Sequence, residues 1–108
     1  MNDELKNLYM AIAKRKQVSM EGSYTCYLFE QGLNKILKKC GEECSEVLIA
    51  AKDDDLLQTK NEICDLLYHL IVLMVNQGIS LEEIYTILEE RSKKIGNLKV
   101  FHESDHNS

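Results

Sequence analysis

Gly41-Glu42-Glu43-Cys44-Ser45-Glu46 and Glu62-Ile63-Cys64-Asp65, with Lys52-Asp53-Asp54-Asp55 between them, decide the fold of this chain. Glu43/Glu46 and Glu62/Asp65 are i,i+3 pairs, so each pair shares one face if its segment is helical. Lys52 to Asp55 is the best turn candidate in the region. Glu46 and Glu62 are equidistant from Asp54 in sequence, and so are Glu43 and Asp65. A chain reversal at Asp54 therefore sets Glu46 level with Glu62 and Glu43 level with Asp65, and the four carboxylates converge. Crowded carboxylates repel one another. A bound hard cation resolves that repulsion, and an all-oxygen donor set suits Mg²⁺, with Mn²⁺ as a possible substitute.

Outward from this hairpin, the apolar residues follow helical rather than alternating spacing, and the 108 residues contain no proline. The expected fold is all-α, a four-helix chain built on a central antiparallel hairpin. The predicted helices cover about 2–16, with Leu5, Leu8 and Ile12 as inner stripe, then 33–52, 55–77 and 80–94. Residues 18–32 read as a loop, with a short turn capped by Thr25. Gly78 is a C′ residue, and Ser80-Leu81-Glu82-Glu83 is a capping box. The domain is expected over 1–95, followed by a polar tail over 96–108. From Leu66 to Val75 the third helix is apolar nearly all round, more than one small chain covers. That predicts a homodimer, a dimeric helical bundle, with Val72 and Val75 on the side away from the hairpin's own core.

A formal charge of −5 argues against general nucleic-acid binding. The longest apolar run is too short for a membrane span. The amphipathic, charged stretch Met1 to Gln17 lacks the apolar core of a signal peptide, so a cytoplasmic protein is expected. Cys40 and Cys44 fall on the apolar stripe of the second helix, where cysteine acts as a small hydrophobe.

A Glu-Glu pair on a helix is usually a solvated face; the two-sided arrangement is what sets this one apart. Lys35, Lys39, Glu42, Glu43 and Glu46 share about one third of the second helix, and Gln58, Glu62, Asp65, His69 and Asn76 a comparable sector of the third. Lys39 falls level with His69. Carboxylates near the turn followed by lysines one turn away form a layout for a polyphosphate. The Gly22-Ser23-Tyr24-Thr25 segment offers hydroxyls and backbone N–H groups for a phosphate.

Glu42-Glu43-x-x-Glu46 followed by Glu62-x-x-Asp65 resembles the signature of the all-α nucleoside triphosphate pyrophosphohydrolases. More narrowly, Gly22-Ser23-Tyr24-Thr25, Leu28-Phe29, Gly32, Lys35-Ile36, Lys38-Lys39 through Gly41-Glu42-Glu43, and Asp65-Leu66-Leu67-Tyr68-His69-Leu70 resemble the phosphoribosyl-ATP pyrophosphohydrolase family of histidine biosynthesis. The resemblance implies Mg²⁺-dependent hydrolysis of the α–β phosphoanhydride of phosphoribosyl-ATP to phosphoribosyl-AMP and pyrophosphate. It implies Glu43, Glu46, Glu62 and Asp65 as metal ligands, and Glu42 as the residue that orients or deprotonates water. Ser23, Tyr24, Thr25, Lys35, Lys38, Lys39 and His69 become substrate-binding candidates, and Arg91 a further one, from its own chain or from the partner subunit. The alternatives are a house-cleaning pyrophosphatase acting on a free nucleotide such as dUTP or dCTP, and a non-catalytic helical dimerisation module.

Overall fold

The computed structural model describes residues 3–95. Five helices lie among them, and no strand: α1 Glu4–Gln17, α2 Tyr24–Gln31, α3 Leu33–Lys52, α4 Leu56–Gln77 and α5 Leu81–Ile95. The four-helix expectation is corrected by α2, which occupies most of the segment read as a loop. Its N-cap is Ser23, not Thr25: the Ser23 hydroxyl accepts the Cys26 N–H. Cys26 and Leu28 are buried on its inner face. Gly32 alone separates α2 from α3, at φ 88°, a backbone conformation open to glycine and strained for other residues. That single residue ends one helix and starts the next, which is why the eight residues of α2 do not show as a separate periodic run.

The hairpin of α3 and α4 turns where expected. Asp53 caps α3, Asp54 takes the left-handed conformation at φ 59°, and the Asp55 carboxylate accepts the Gln58 N–H to start α4. Aspartate is among the few residues that tolerate the left-handed region. Gly78 closes α4, its N–H reaching the Met74 and Val75 carbonyls.

The core is Ile12 of α1, Leu28 of α2, Ile36 of α3, and Ile71 and Val72 of α4, with Leu8, Tyr9, Phe29, Cys40 and Tyr68 packed around them. Leu5 is on the exposed side of α1. All these core residues of α3 and α4 lie at the end of the hairpin remote from Asp54. There α1 and α2 cover it; towards the turn the apolar side chains are bare, Leu48 at 65% and Leu57 at 71% exposure.

The expectation for Val72 is overturned. It is fully buried against α1, α2 and α3, and Val75 packs on the same core. Besides Leu57, the large apolar residues that α4 leaves outside include Leu56, Ile63, Leu67 and Leu70. They recur at heptad spacing, as do the exposed Leu37, Cys44 and Leu48 of α3.

By compactness the chain divides into two units, Met1–Gly78 and Ile79–Ser108. In the second, the expected capping box closes: Ser80 N–H donates to the Glu83 carboxylate at 2.9 Å, and Glu83 N–H to the Ser80 hydroxyl at 3.1 Å. The tail assigned to 96–108 lies outside the described residues. No single described helix is long and apolar enough to cross a membrane.

Candidate metal and polyphosphate site

Three carboxylates converge where the α1–α2 cover of the hairpin ends. Glu43 of α3 and Glu62 and Asp65 of α4 each offer an oxygen, and these oxygens lie within 4.8 Å of one another. Their register is fixed by the antiparallel packing of α3 on α4, and the Cys40 thiol donates to the His69 carbonyl at 3.5 Å across that interface. Glu46, the fourth expected ligand, is exposed one turn nearer Asp54 and is not among the three.

Glu62 is only 9% exposed, and its carboxylate accepts a 2.6 Å hydrogen bond from the Gln58 amide one turn earlier. That bond fixes the rotamer of a buried acid. Gln58 lies in the polar sector of α4, and its i,i+4 spacing to Glu62 is the feature of the sequence that pairs them. Across from it, the Lys39 ammonium sits 3.2 Å from Glu42 and 3.6 Å from Glu43. The hydrogen bond to Glu42, then the Tyr24, Glu42 and Glu43 charges, hold Lys39 above its ordinary value against the opposing effect of burial. Lys39 is thus a built-in counter-cation for Glu43.

The donor set fits a hard divalent cation: three carboxylate oxygens from two packed helices, one of them buried and oriented by an amide. Lys39 balances only part of that charge.

Next to the carboxylates lies an aromatic cluster. The His69 ring nitrogen Nδ1 is 2.8 Å from the Asp65 carbonyl oxygen, which can only accept, so Nδ1 carries the proton. The other ring nitrogen, Nε2, is hydrogen-bonded to the Tyr24 hydroxyl at 3.1 Å. Tyr24 and Tyr68 both meet His69 edge-on, with ring centroids 5.8 Å and 4.9 Å away. Thr25 hydrogen-bonds the Tyr68 hydroxyl. Burial pushes the Tyr24 and Tyr68 phenols up, so both stay protonated at neutral pH.

The expected phosphate loop is therefore the first turn of α2, with Ser23 engaged as its cap, Thr25 bonded to Tyr68 and Tyr24 to His69. Lys35 stands 5.8 Å over the Tyr27 ring, and Lys38 is exposed on α3. Arg91 is an exposed residue of α5, in the second unit. Tyr68 was missed as a site residue because a tyrosine in an apolar run reads as core; its hydroxyl partner belongs to another helix.

The model of the family described as phosphoribosyl-ATP pyrophosphohydrolase matches residues 5–92. A protein of Streptococcus sanguinis named phosphoribosyl-ATP pyrophosphatase is 51% identical over 94% of this chain and 98% of its own length. A Clostridium botulinum protein of the same name is 53% identical over 91% of this chain and 89% of its own. A third, from Bacillus cytotoxicus, is 49% identical over 97% and 98%.

Proposed function

The chain belongs to the phosphoribosyl-ATP pyrophosphohydrolase family, and from that premise we propose that it hydrolyses the α–β phosphoanhydride of phosphoribosyl-ATP. The products are phosphoribosyl-AMP and pyrophosphate, the step is the second of histidine biosynthesis, and the setting is the cytoplasm with Mg²⁺ as cofactor. The observation that carries this reading is the convergence of Glu43, Glu62 and Asp65 beside Lys39.

Phosphoanhydride hydrolysis asks a protein for a positioned water and neutralisation of charge on the leaving pyrophosphate, with little covalent chemistry. Glu43, Glu62 and Asp65 would hold the ion, with Glu46 in reserve one turn along α3, and Gln58 keeps Glu62 oriented for it. When bound, such an ion would neutralise charge on the polyphosphate and acidify water. Lys39, with Glu43 engaged by another cation, would be free to offer its ammonium to a phosphate oxygen. Glu42 is exposed beside Lys39 and takes the proton from the attacking water. Burial pushes the Cys40 thiol up, which leaves that cysteine a packing residue rather than a nucleophile. A pyrophosphate-release assay over phosphoribosyl-ATP and a panel of nucleoside triphosphates tests the reading. Release from phosphoribosyl-ATP well above the panel is expected; preferential release from dUTP or dCTP would replace it with nucleotide house-cleaning.

Lys39→Met separates the two cations. The substitution removes a competitor from Glu43, so Mn²⁺ affinity without substrate is expected to stay level or tighten. KM for phosphoribosyl-ATP rises by about tenfold, the value of a charge-assisted hydrogen bond to phosphate. Mn²⁺ titration of both proteins decides it, and a large loss of metal affinity in the variant contradicts the role.

The same reading includes a homodimer. The outward stripes are Leu56, Ile63, Leu67 and Leu70 on α4 and Leu37, Cys44 and Leu48 on α3, the two helices of one hairpin. Two heptad-spaced stripes on antiparallel helices are the seam of a four-helix bundle, and a second copy of the hairpin supplies the other half.

A further inference from the structure

We propose that the groove between the end of α1 and the start of α2 is the nucleoside subsite, taking a purine base and its ribose while the phosphates lie at Lys39 and the carboxylates. The proposal rests on the nucleotide reading above and adds to it where the uncharged part of the substrate goes.

The groove encloses about 530 Å³, within the range of small-molecule sites, and its walls include Ser19, Glu21, Ser23, Tyr24, Tyr27 and Glu30. It is built before any ligand arrives. Gly22 takes φ 82° to reverse the chain, and Ser23 N–H closes the turn on the Met20 carbonyl at 3.2 Å. Beneath it the Cys26 sulfur accepts the Met20 N–H at 3.3 Å and donates to the Arg15 carbonyl at 3.6 Å, tying the loop to both helices.

Its chemistry selects one part of a nucleotide. Tyr24 and Tyr27 stack at 6.1 Å with 25° between their planes, and both are more than two-fifths exposed. Such a surface offers stacking to a flat heterocycle. The charged groups lining the groove are two carboxylates, Glu21 and Glu30, with no lysine or arginine among the lining residues. Carboxylates repel phosphate and accept hydrogen bonds, so they favour the exocyclic nitrogen of a purine and the hydroxyls of a ribose.

Tyr24 joins the groove to the reactive centre. It is among the residues lining the groove, and its hydroxyl ends on His69, one turn of α4 beyond Asp65. The Lys39 and Glu43 charges also act on its phenol. A nucleotide held by its phosphates at Lys39 thus has its nucleoside delivered past Tyr24.

The test is binding to the full chain by calorimetry, in Mg²⁺, with two probes: adenosine 5′-monophosphate and inorganic tripolyphosphate. Tyr27→Leu is expected to weaken the nucleotide about tenfold, the scale of one lost base–aromatic stack, and to leave tripolyphosphate unchanged. Glu30→Gln, at an exposed helical position, carries the same comparison without touching the aromatic pair and is expected to weaken the nucleotide severalfold. Equal nucleotide affinity in both variants and wild type overturns the proposal. So does equal loss of both probes, or a wild type that binds tripolyphosphate but no nucleotide at millimolar concentration. Absence of pyrophosphate release from phosphoribosyl-ATP would instead overturn the substrate assignment, and leaves these titrations to decide the groove independently.

Discussion

Glu62→Gln is expected to lower kcat for pyrophosphate release by about 10²–10³-fold, the loss typical of removing one preorganised electrostatic group from a reaction centre. Glutamine keeps the volume and one carbonyl oxygen, so the 2.6 Å bond from Gln58 can persist. What disappears is one of three negative charges held within 4.8 Å of one another. Metal affinity falls with it, whereas the fold does not: fewer like charges repel across α3 and α4, and the thermal midpoint stays level or rises slightly. Gln58→Ala is the milder companion. It leaves every carboxylate in place but frees the rotamer of a buried acid, and the expected loss is about tenfold in metal affinity. Mn²⁺ titration and turnover at limiting Mg²⁺, measured on both variants, give the comparison. Wild-type turnover by Glu62→Gln under limiting Mg²⁺ would remove Glu62 from the metal site.

Leu67→Glu is expected to dissociate the dimer and destabilise the protein together. Leu67 is 40% exposed in the single chain and sits mid-way along the outward stripe of α4, between Ile63 and Leu70. In a two-fold dimer the residue is buried from both copies at once, so each charge is doubled at the interface. Burying an unpaired carboxylate costs enough to weaken association by about a hundredfold or more. The outward stripes, among them Leu48, Leu56, Ile63 and Leu70, then return to water at about 25 cal/mol per Å², and the melting temperature falls. Val72→Glu is not the same experiment: Val72 lies in the monomer's own core and its replacement unfolds each chain directly. Sedimentation and melts over a range of protein concentrations distinguish the outcomes. A wild type that remains monomeric at micromolar concentration, with a concentration-independent melting temperature, would dispose of the dimer.

Much of this protein is written in local pattern. Asp54 could be read as the turn because a run of aspartates between two amphipathic segments tolerates the left-handed backbone and caps the following helix, as Asp54 and Asp55 do. Once the turn is placed, antiparallel helices leave little freedom of register, and Glu43 meets Asp65 by counting. The Ser80/Glu83 box and Gly78 are equally local, each a bond within one turn of its own residue. α2 escaped because two helices abut at Gly32 without a connecting loop, so their periodicities merge.

What the sequence alone determined is therefore the set of relations between residues near one another in the chain, or related by one helical hairpin: helix type, turn, and the converging acids. Tertiary structure decided what depends on how the helices roll about their axes. It turned Val72 inward and Leu67 outward, kept Glu46 out of the carboxylate trio, and set Tyr24 on His69 and Thr25 on Tyr68. Those choices follow from where α1 and α2 cover the hairpin, and a cover contributed by distant segments leaves no mark in the period of the helix it covers.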